Sequence, residues 1–252
     1  MARSNRIHLL DEIRGFMIIC MVLFHAFYTM GYIFGMDIGI TLLNFFAPAE
    51  PFFAAGFILI SGYCSRLSHS NLKRGGRLLL IALLLTLVTY LLDRYCGMEG
   101  TLIYFGILHL LSICMLLYAL CERFISRINA FIGVIICILL FAFTFNIDKG
   151  MLGFGVYTIT LPAALQSTDW LAPLGLHSAS FYSADYFPIL PWLFVFFAGS
   201  FLGVSANRRL PKFCYNQHIR PLAYCGRHTL IIYIIHQPVI YGLVWLLHQI
   251  FS

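Results

Sequence analysis

A chain of 252 residues that is 61% hydrophobic and 10% charged carries too much apolar surface for a water-soluble core, since soluble domains hold about 25% charged residues. That excludes an ordinary globular enzyme and fixes the class as an integral membrane protein. The formal charge of +6 comes without any basic and aromatic soluble module, which excludes nucleic acid as a partner.

Apolar runs predict seven spanning helices, at about 13–34, 51–67, 76–93, 102–120, 129–146, 188–206 and 228–250. The expected architecture is all-α, a polytopic transmembrane helix bundle forming a single domain over 1–252. The first run is too long for a signal-peptide core and no small-residue cleavage site follows it, so it should stay as a helix. The stretch 38–50 reads as a lead-in to the second helix, broken at Pro48 and Pro51. Residues 150–165 are apolar, rich in Gly and closed by Pro162. They read as a short re-entrant or interfacial piece on the outer side, with an eighth helix as the alternative.

Charge then assigns sides. Basic residues gather at the N-terminus (Arg3, Arg6, Arg14) and in three loops (Arg66, Lys73, Arg74, Arg77; Arg123, Arg127; Arg208, Arg209, Lys212, Arg220, Arg227). Arg94 and Lys149 fall opposite, among acidic residues such as Asp37, Asp93, Glu99, Asp148, Asp169 and Asp185. The positive-inside rule makes the N-terminus cytoplasmic. A basic face of this kind can also hold anionic lipid or a phosphorylated ligand. The eight cysteines contain no CxxC pair, so neither a disulfide framework nor a zinc site follows.

Polar residues inside apolar spans are the candidates for chemistry. Arg14 and His25 are eleven positions apart on the first helix. That spacing returns to within about 20° of the same face and separates them by about 16 Å along the axis. Arg14 lies at the basic edge and His25 near the bilayer midplane. Asp11 and Arg14, at i and i+3, can pair on one face. The plainer reading of Arg14 is a membrane-edge anchor, and that of His25 a packed, hydrogen-bonded histidine. His109 and His236 sit at similar depth in two other spans, and Tyr233, His236 and Gln237 form one polar stripe. Three such histidines are costly unless they meet at a wet cavity. No HxxxH or His/carboxylate spacing points to a metal. Ser61-Gly62 reads as a helix-packing site. Glu50 either caps its helix or faces an external ligand, and Thr229 is a polar start to the last helix.

These pieces, taken in order, resemble the heparan-α-glucosaminide N-acetyltransferase catalytic-domain-like family, within the wider transmembrane acyltransferases that include acyltransferase family three. The matching stretches are Leu10-Asp11-Glu12-Ile13-Arg14-Gly15, the Arg14 to His25 spacing, Ser61-Gly62-Tyr63 and Phe105-Gly106-Ile107-Leu108-His109. Tyr186 to Trp192 and Gly226 to Pro238 complete the set. The chain lacks the long extra-membrane domain of the lysosomal sugar N-acetyltransferase and the additional helices common in acyltransferase family three, which leaves the acceptor open.

The resemblance implies a multi-pass enzyme of the cell inner membrane. It would move an acetyl group from cytoplasmic acetyl-CoA to a hydroxyl or amine of a carbohydrate or cell-envelope acceptor outside. Arg14 and His25 match an arginine-x10-histidine signature of such enzymes. On this reading Arg14, Arg74, Arg77 and Arg227 attract the CoA phosphates. His25 is general base or acyl carrier. His109, His236 or Gln237 holds the thioester oxygen, and Asp11 orients Arg14. A homodimer is compatible with this scheme. The competing readings are a small-solute or proton-coupled transporter, since buried histidines also serve proton relays, and a non-enzymatic scaffold.

Overall fold

A computed structural model of the chain describes residues 6–98, 100–204 and 210–251. Arg3, Glu99, Arg208, Arg209 and the last residues of the span expected at 188–206 lie outside the described residues. The chain is a nearly all-α polytopic membrane protein. Among the described residues, six helical stretches are long and apolar enough to cross a membrane: His8–Ile33, Asp37–Arg66, Asn71–Tyr95, Ile107–Ile125, Ala130–Lys149 and Thr229–Ile250. The seventh, Ile189–Leu202, is a shorter apolar helix of 14 residues.

Contacts divide the chain into two compact units, Met1–Ile60 with Arg209–Ser252, and Ser61–Arg208. The first unit is built on α1 (His8–Tyr28), which passes without interruption through Arg14 and His25 and then loosens into a π-helical turn at Thr29–Ile33. Helix α2 (Asp37–Phe46) follows. A 3-10 turn at Ala47–Ala49 carries the chain through Pro48 into α3 (Glu50–Arg66), whose second residue is Pro51. Both prolines thus sit where a missing N–H costs nothing. The unit is completed by α8 (Arg220–Arg227) and α9 (Thr229–Phe251).

Helices α1 and α8 meet backbone to backbone. A Cβ at Gly15 would stand 2.7 Å from the carbonyl carbon of Leu222, and one at Gly226 2.6 Å from that of Asp11. Only glycine fits either place. Glu12, buried on α1, seals the same junction. Its Oε1 accepts from the backbone N–H groups of His218 (2.6 Å) and Ile219 (3.0 Å), donors at the start of α8 that no helical carbonyl reaches.

The second unit holds the end of α3 with α4 (Asn71–Tyr95), α5 (Ile107–Ile125), α6 (Ala130–Thr144) and α7 (Ile189–Leu202). Gly62 lies against the Phe196 carbonyl, so Ser61-Gly62 is a close-packing site as its small residues suggest. Helix α5 starts five residues later than the apolar run at 102 indicates. The delay has a polar cause: Asp185 accepts from the backbone N–H of Ile107 (3.0 Å), fixing the helix start after Gly106.

The segment after α6 holds no eighth spanning helix. Met151–Phe154 (β1) and Tyr157–Thr160 (β2) pair antiparallel, Met151 opposite Thr160 and Phe154 opposite Tyr157. The turn is two residues long and begins with Gly155 at φ +53°, the glycine geometry that tight hairpins favour. Short 3-10 turns at Ala163–Gln166 and Asp169–Leu174 lead on towards α7.

Candidate functional site

The first unit brings α1 and α9 together around His25. Gln237 Nε2 donates to His25 Nδ1 at 2.9 Å, across 212 residues of sequence. The His25 and His236 rings lie 4.9 Å apart at a tilt of 55°, and Phe24 closes one edge of His25 at 5.6 Å. His236 is buried and gives its Nδ1–H to the Tyr233 carbonyl one turn back. That bond fixes its tautomer and leaves Nε2 as the acceptor nitrogen. The stripe Tyr233, His236 and Gln237 therefore faces α1, with two of its members against His25. Pro238 follows directly and removes one helical hydrogen bond from this part of α9.

One turn beyond His25, the π-helical segment opens with Thr29, whose hydroxyl is fully buried and has no partner among the described residues. Such turns gather at functional positions because they break the regular ladder. No period in the sequence marks this one.

Arg14 is held at the other end of the same face. Its Nη2 donates to Thr229 Oγ1 at 3.1 Å, at the start of α9, and its guanidinium lies 5.8 Å from the Phe57 ring centroid. The buried Nε has no hydrogen-bond partner among the described residues. Asp11 does not orient Arg14. It takes Arg6 instead, with bonds of 2.6 and 3.1 Å from Nε and Nη2. Arg6 lies just before α1 and bends back over its first turn, which leaves Arg14 free to reach α9. Sequence reasoning missed three of these contributors. In the sequence Arg6 is only a topology charge, Phe57 carries no signal of its own, and Glu12 does not stand out because its partners lie 206 and 207 residues away.

His109 belongs to the second unit and spends both ring nitrogens there. Nδ1 accepts from the Gly106 backbone N–H at 3.2 Å. The Thr86 hydroxyl gives its hydrogen to the Ile103 carbonyl (2.8 Å), so His109 Nε2–H donates to Thr86 Oγ1 (3.2 Å). His109 thus ties α4 to the start of α5, which leaves neither nitrogen for a thioester oxygen. Among the expected phosphate-binding cations, Arg227 is exposed in the first unit with Nε on the Ala223 carbonyl of its own helix (3.1 Å). Arg74 and Arg77 are exposed on the first turns of α4 in the second unit. Among the described residues, no group of three His, Cys, Asp or Glu is placed to hold a metal ion.

Residues 6–238 match the family described as "Heparan-alpha-glucosaminide N-acetyltransferase, catalytic". The chain belongs to this family. No curated protein and no solved structure matches it. The family match begins at Arg6 and ends at Pro238, so it takes in Arg14, His25, His236 and Gln237, and both units. Membership makes the chain a membrane transferase of the acyltransferase kind.

Proposed function

We propose that this chain is one transmembrane acyltransferase domain, 1–252, of the cytoplasmic membrane. It takes an acetyl group from acetyl-CoA on the cytoplasmic side and delivers it to a hydroxyl or amine of a carbohydrate or cell-envelope acceptor outside. The observation that carries this reading is the pairing of His25 with Gln237 and His236, on the helix face that also bears Arg14.

His25 is the proton-transfer residue. As base it removes the acceptor proton while the acceptor oxygen or nitrogen attacks the thioester carbonyl. The C–S bond then breaks, and CoA leaves as a thiol once that proton returns to sulfur. Gln237 suits the role because its amide offers a donor and an acceptor of the same shape. Donating from Nε2, it keeps the His25 proton on Nε2. Turned over, it accepts from Nδ1–H and leaves Nε2 as the base. The ring thereby changes tautomer without losing its partner. His236, fixed as an acceptor at Nε2, accepts a proton beside His25; as a neutral ring it cannot donate to the thioester oxygen.

Arg14 is the cation for the CoA phosphates, supported by its polar hold on Thr229 and its unpartnered Nε. Arg227, Arg74 and Arg77 supply further positive charge on the same expected side. No observation favours a transporter, and the family is one of transferases. Calorimetry of the purified protein with acetyl-CoA tests the donor. Wild type should bind, and Arg14→Ala should lose about tenfold or more in affinity, the scale of a hydrogen bond to a charged group. Unchanged affinity in that variant would remove Arg14 from the donor site, and no binding by wild type would remove acetyl-CoA.

A further inference from the structure

The π-helical turn after α1 holds a polar group that the chemistry above does not use. Helix α1 is regular up to Tyr28, so His25 and Thr29, at i and i+4, share one face. Arg14, His25 and Thr29 fall within about 60° of one another around the axis, and Thr29 stands about 6 Å beyond His25. With the N-terminus on the cytoplasmic side, as the charge pattern predicts, that step leads outward. Two contacts with α9 bracket the position. Inward, His25 meets Gln237; outward, the Phe34 ring packs on Tyr241 at 5.3 Å and on His248 at 5.7 Å.

The Thr29 hydroxyl differs from those of Ser65, Thr89, Ser112, Thr144 and Ser200, which are buried in helices and each donate to a carbonyl about one turn back. Thr29 makes no such bond and has no other side-chain partner among the described residues, although it is 0% exposed. Its backbone is committed: the N–H meets the carbonyls of Ala26 and His25, and the carbonyl accepts from the Phe34 N–H, five residues on, at 3.1 Å. A buried hydroxyl without a partner weakens a fold, so it marks a place where something else supplies the missing bond. Here that place is on the face of α1 that carries His25, one turn nearer the side from which the acceptor comes.

We infer that Thr29 Oγ1 binds the acceptor. It holds a hydroxyl on the carbon next to the one that carries the reacting group, while His25 takes the proton of the reacting group itself. Side chains at i and i+4 have Cβ atoms about 5–6 Å apart, which lets two of them reach groups on adjacent carbons. A threonine hydroxyl both donates and accepts, so it matches an acceptor hydroxyl in either sense. Neighbouring polar groups of this kind are what a sugar ring offers. Thr29 takes part in no bond change; it positions the acceptor by touching it. The inference rests on the acyl-transfer reading and names the acceptor-side contact of that same site.

Initial rates of CoA thiol release by the purified protein in liposomes, with a cell-envelope glycan fraction as the varied acceptor, test it. Thr29→Val keeps the branched shape and removes the hydroxyl. It should raise the apparent KM for the acceptor by about tenfold, the upper range for one neutral hydrogen bond, and leave the KM for acetyl-CoA unchanged. Thr29→Ser, which keeps the hydroxyl, should bring the acceptor KM back near the wild-type value. Because the hydroxyl bonds nothing in the chain, Thr29→Val should resist denaturant at least as well as wild type. An unchanged acceptor KM in Thr29→Val, or a shift confined to the acetyl-CoA KM, overturns the assignment. So does a loss of stability in that variant, since the hydroxyl would then serve the fold through a water. Absence of thiol release by wild type overturns the acyl-transfer reading itself, and this inference with it.

Discussion

Gly226→Ala probes the junction on which the placement of Arg14 depends. The new methyl carbon would sit 2.6 Å from the Asp11 carbonyl carbon and 3.0 Å from its Cα. Carbon atoms in contact need about 3.5–4.0 Å, so α8 must retreat from α1 by about 1 Å. Backbone, not a flexible side chain, is the obstacle, so rotamer changes cannot absorb the shift. Overpacking of this kind costs about 1–3 kcal/mol. Thr229 begins α9 three residues further on, and its 3.1 Å bond from Arg14 would stretch beyond hydrogen-bonding range. Losing that charge-assisted bond adds about 1.5–3 kcal/mol, for a total of about 2.5–6 kcal/mol. Reversible denaturant titration in detergent measures this directly. Gly242→Ala on α9 is the control, because a Cβ there meets nothing within 4 Å. It should be neutral or gain about 0.5–1 kcal/mol from helix propensity. If Gly226→Ala lies within about 0.5 kcal/mol of wild type, α1 and α8 are not in backbone contact, and the account of how Arg14 is held fails.

Two further substitutions separate scaffold from chemistry. Glu12→Ala strips two backbone N–H groups of their acceptor at the start of α8 and should cost about 2–4 kcal/mol; Glu12→Gln keeps one carboxyl-type oxygen there and should recover about half of the loss in the same titration. His109→Leu should lower stability by about 1–3 kcal/mol by orphaning the Gly106 N–H, yet leave turnover per folded molecule within about threefold of wild type. A drop of about a hundredfold or more at full folding, the size of a lost acid–base group, would return His109 to the reaction.

The spanning helices were legible because each is one long apolar run, and even the interruption at Pro48 follows from the chemistry of proline. The hairpin at Met151–Thr160 was not. Its first strand, Met151–Phe154, shows no alternation of apolar and polar residues, the alternation of its second spans four residues, and its glycines, Gly153 and Gly155 two positions apart, also fit a loop. Within the site, Arg14, His25, His236 and Gln237 stood out as polar residues in expensive places, and the i, i+3, i+4 stripe on α9 predicted their shared face. Their pairing across helices could not be read, since His25 meets Gln237 only through the close approach of α1 to α9. Local reasoning misled at Asp11, where the i+3 arginine was the obvious partner. Arg6 wins because it lies outside the helix and can fold back, whereas Arg14 is committed to Thr229. For His109, depth alone suggested chemistry, and only the two bonds to Gly106 and Thr86 reveal that its nitrogens are spent.

The central claim is that His25 handles the proton in transfer of an acetyl group from CoA. The most direct measurement is release of free CoA thiol from acetyl-CoA by purified wild-type and His25→Ala protein, reconstituted in liposomes with a cell-envelope glycan fraction as acceptor. The account predicts steady thiol release by wild type and a loss of about a hundredfold to ten-thousandfold in the variant, with the variant still folded and still binding acetyl-CoA. Thiol release by folded His25→Ala at the wild-type rate would contradict it.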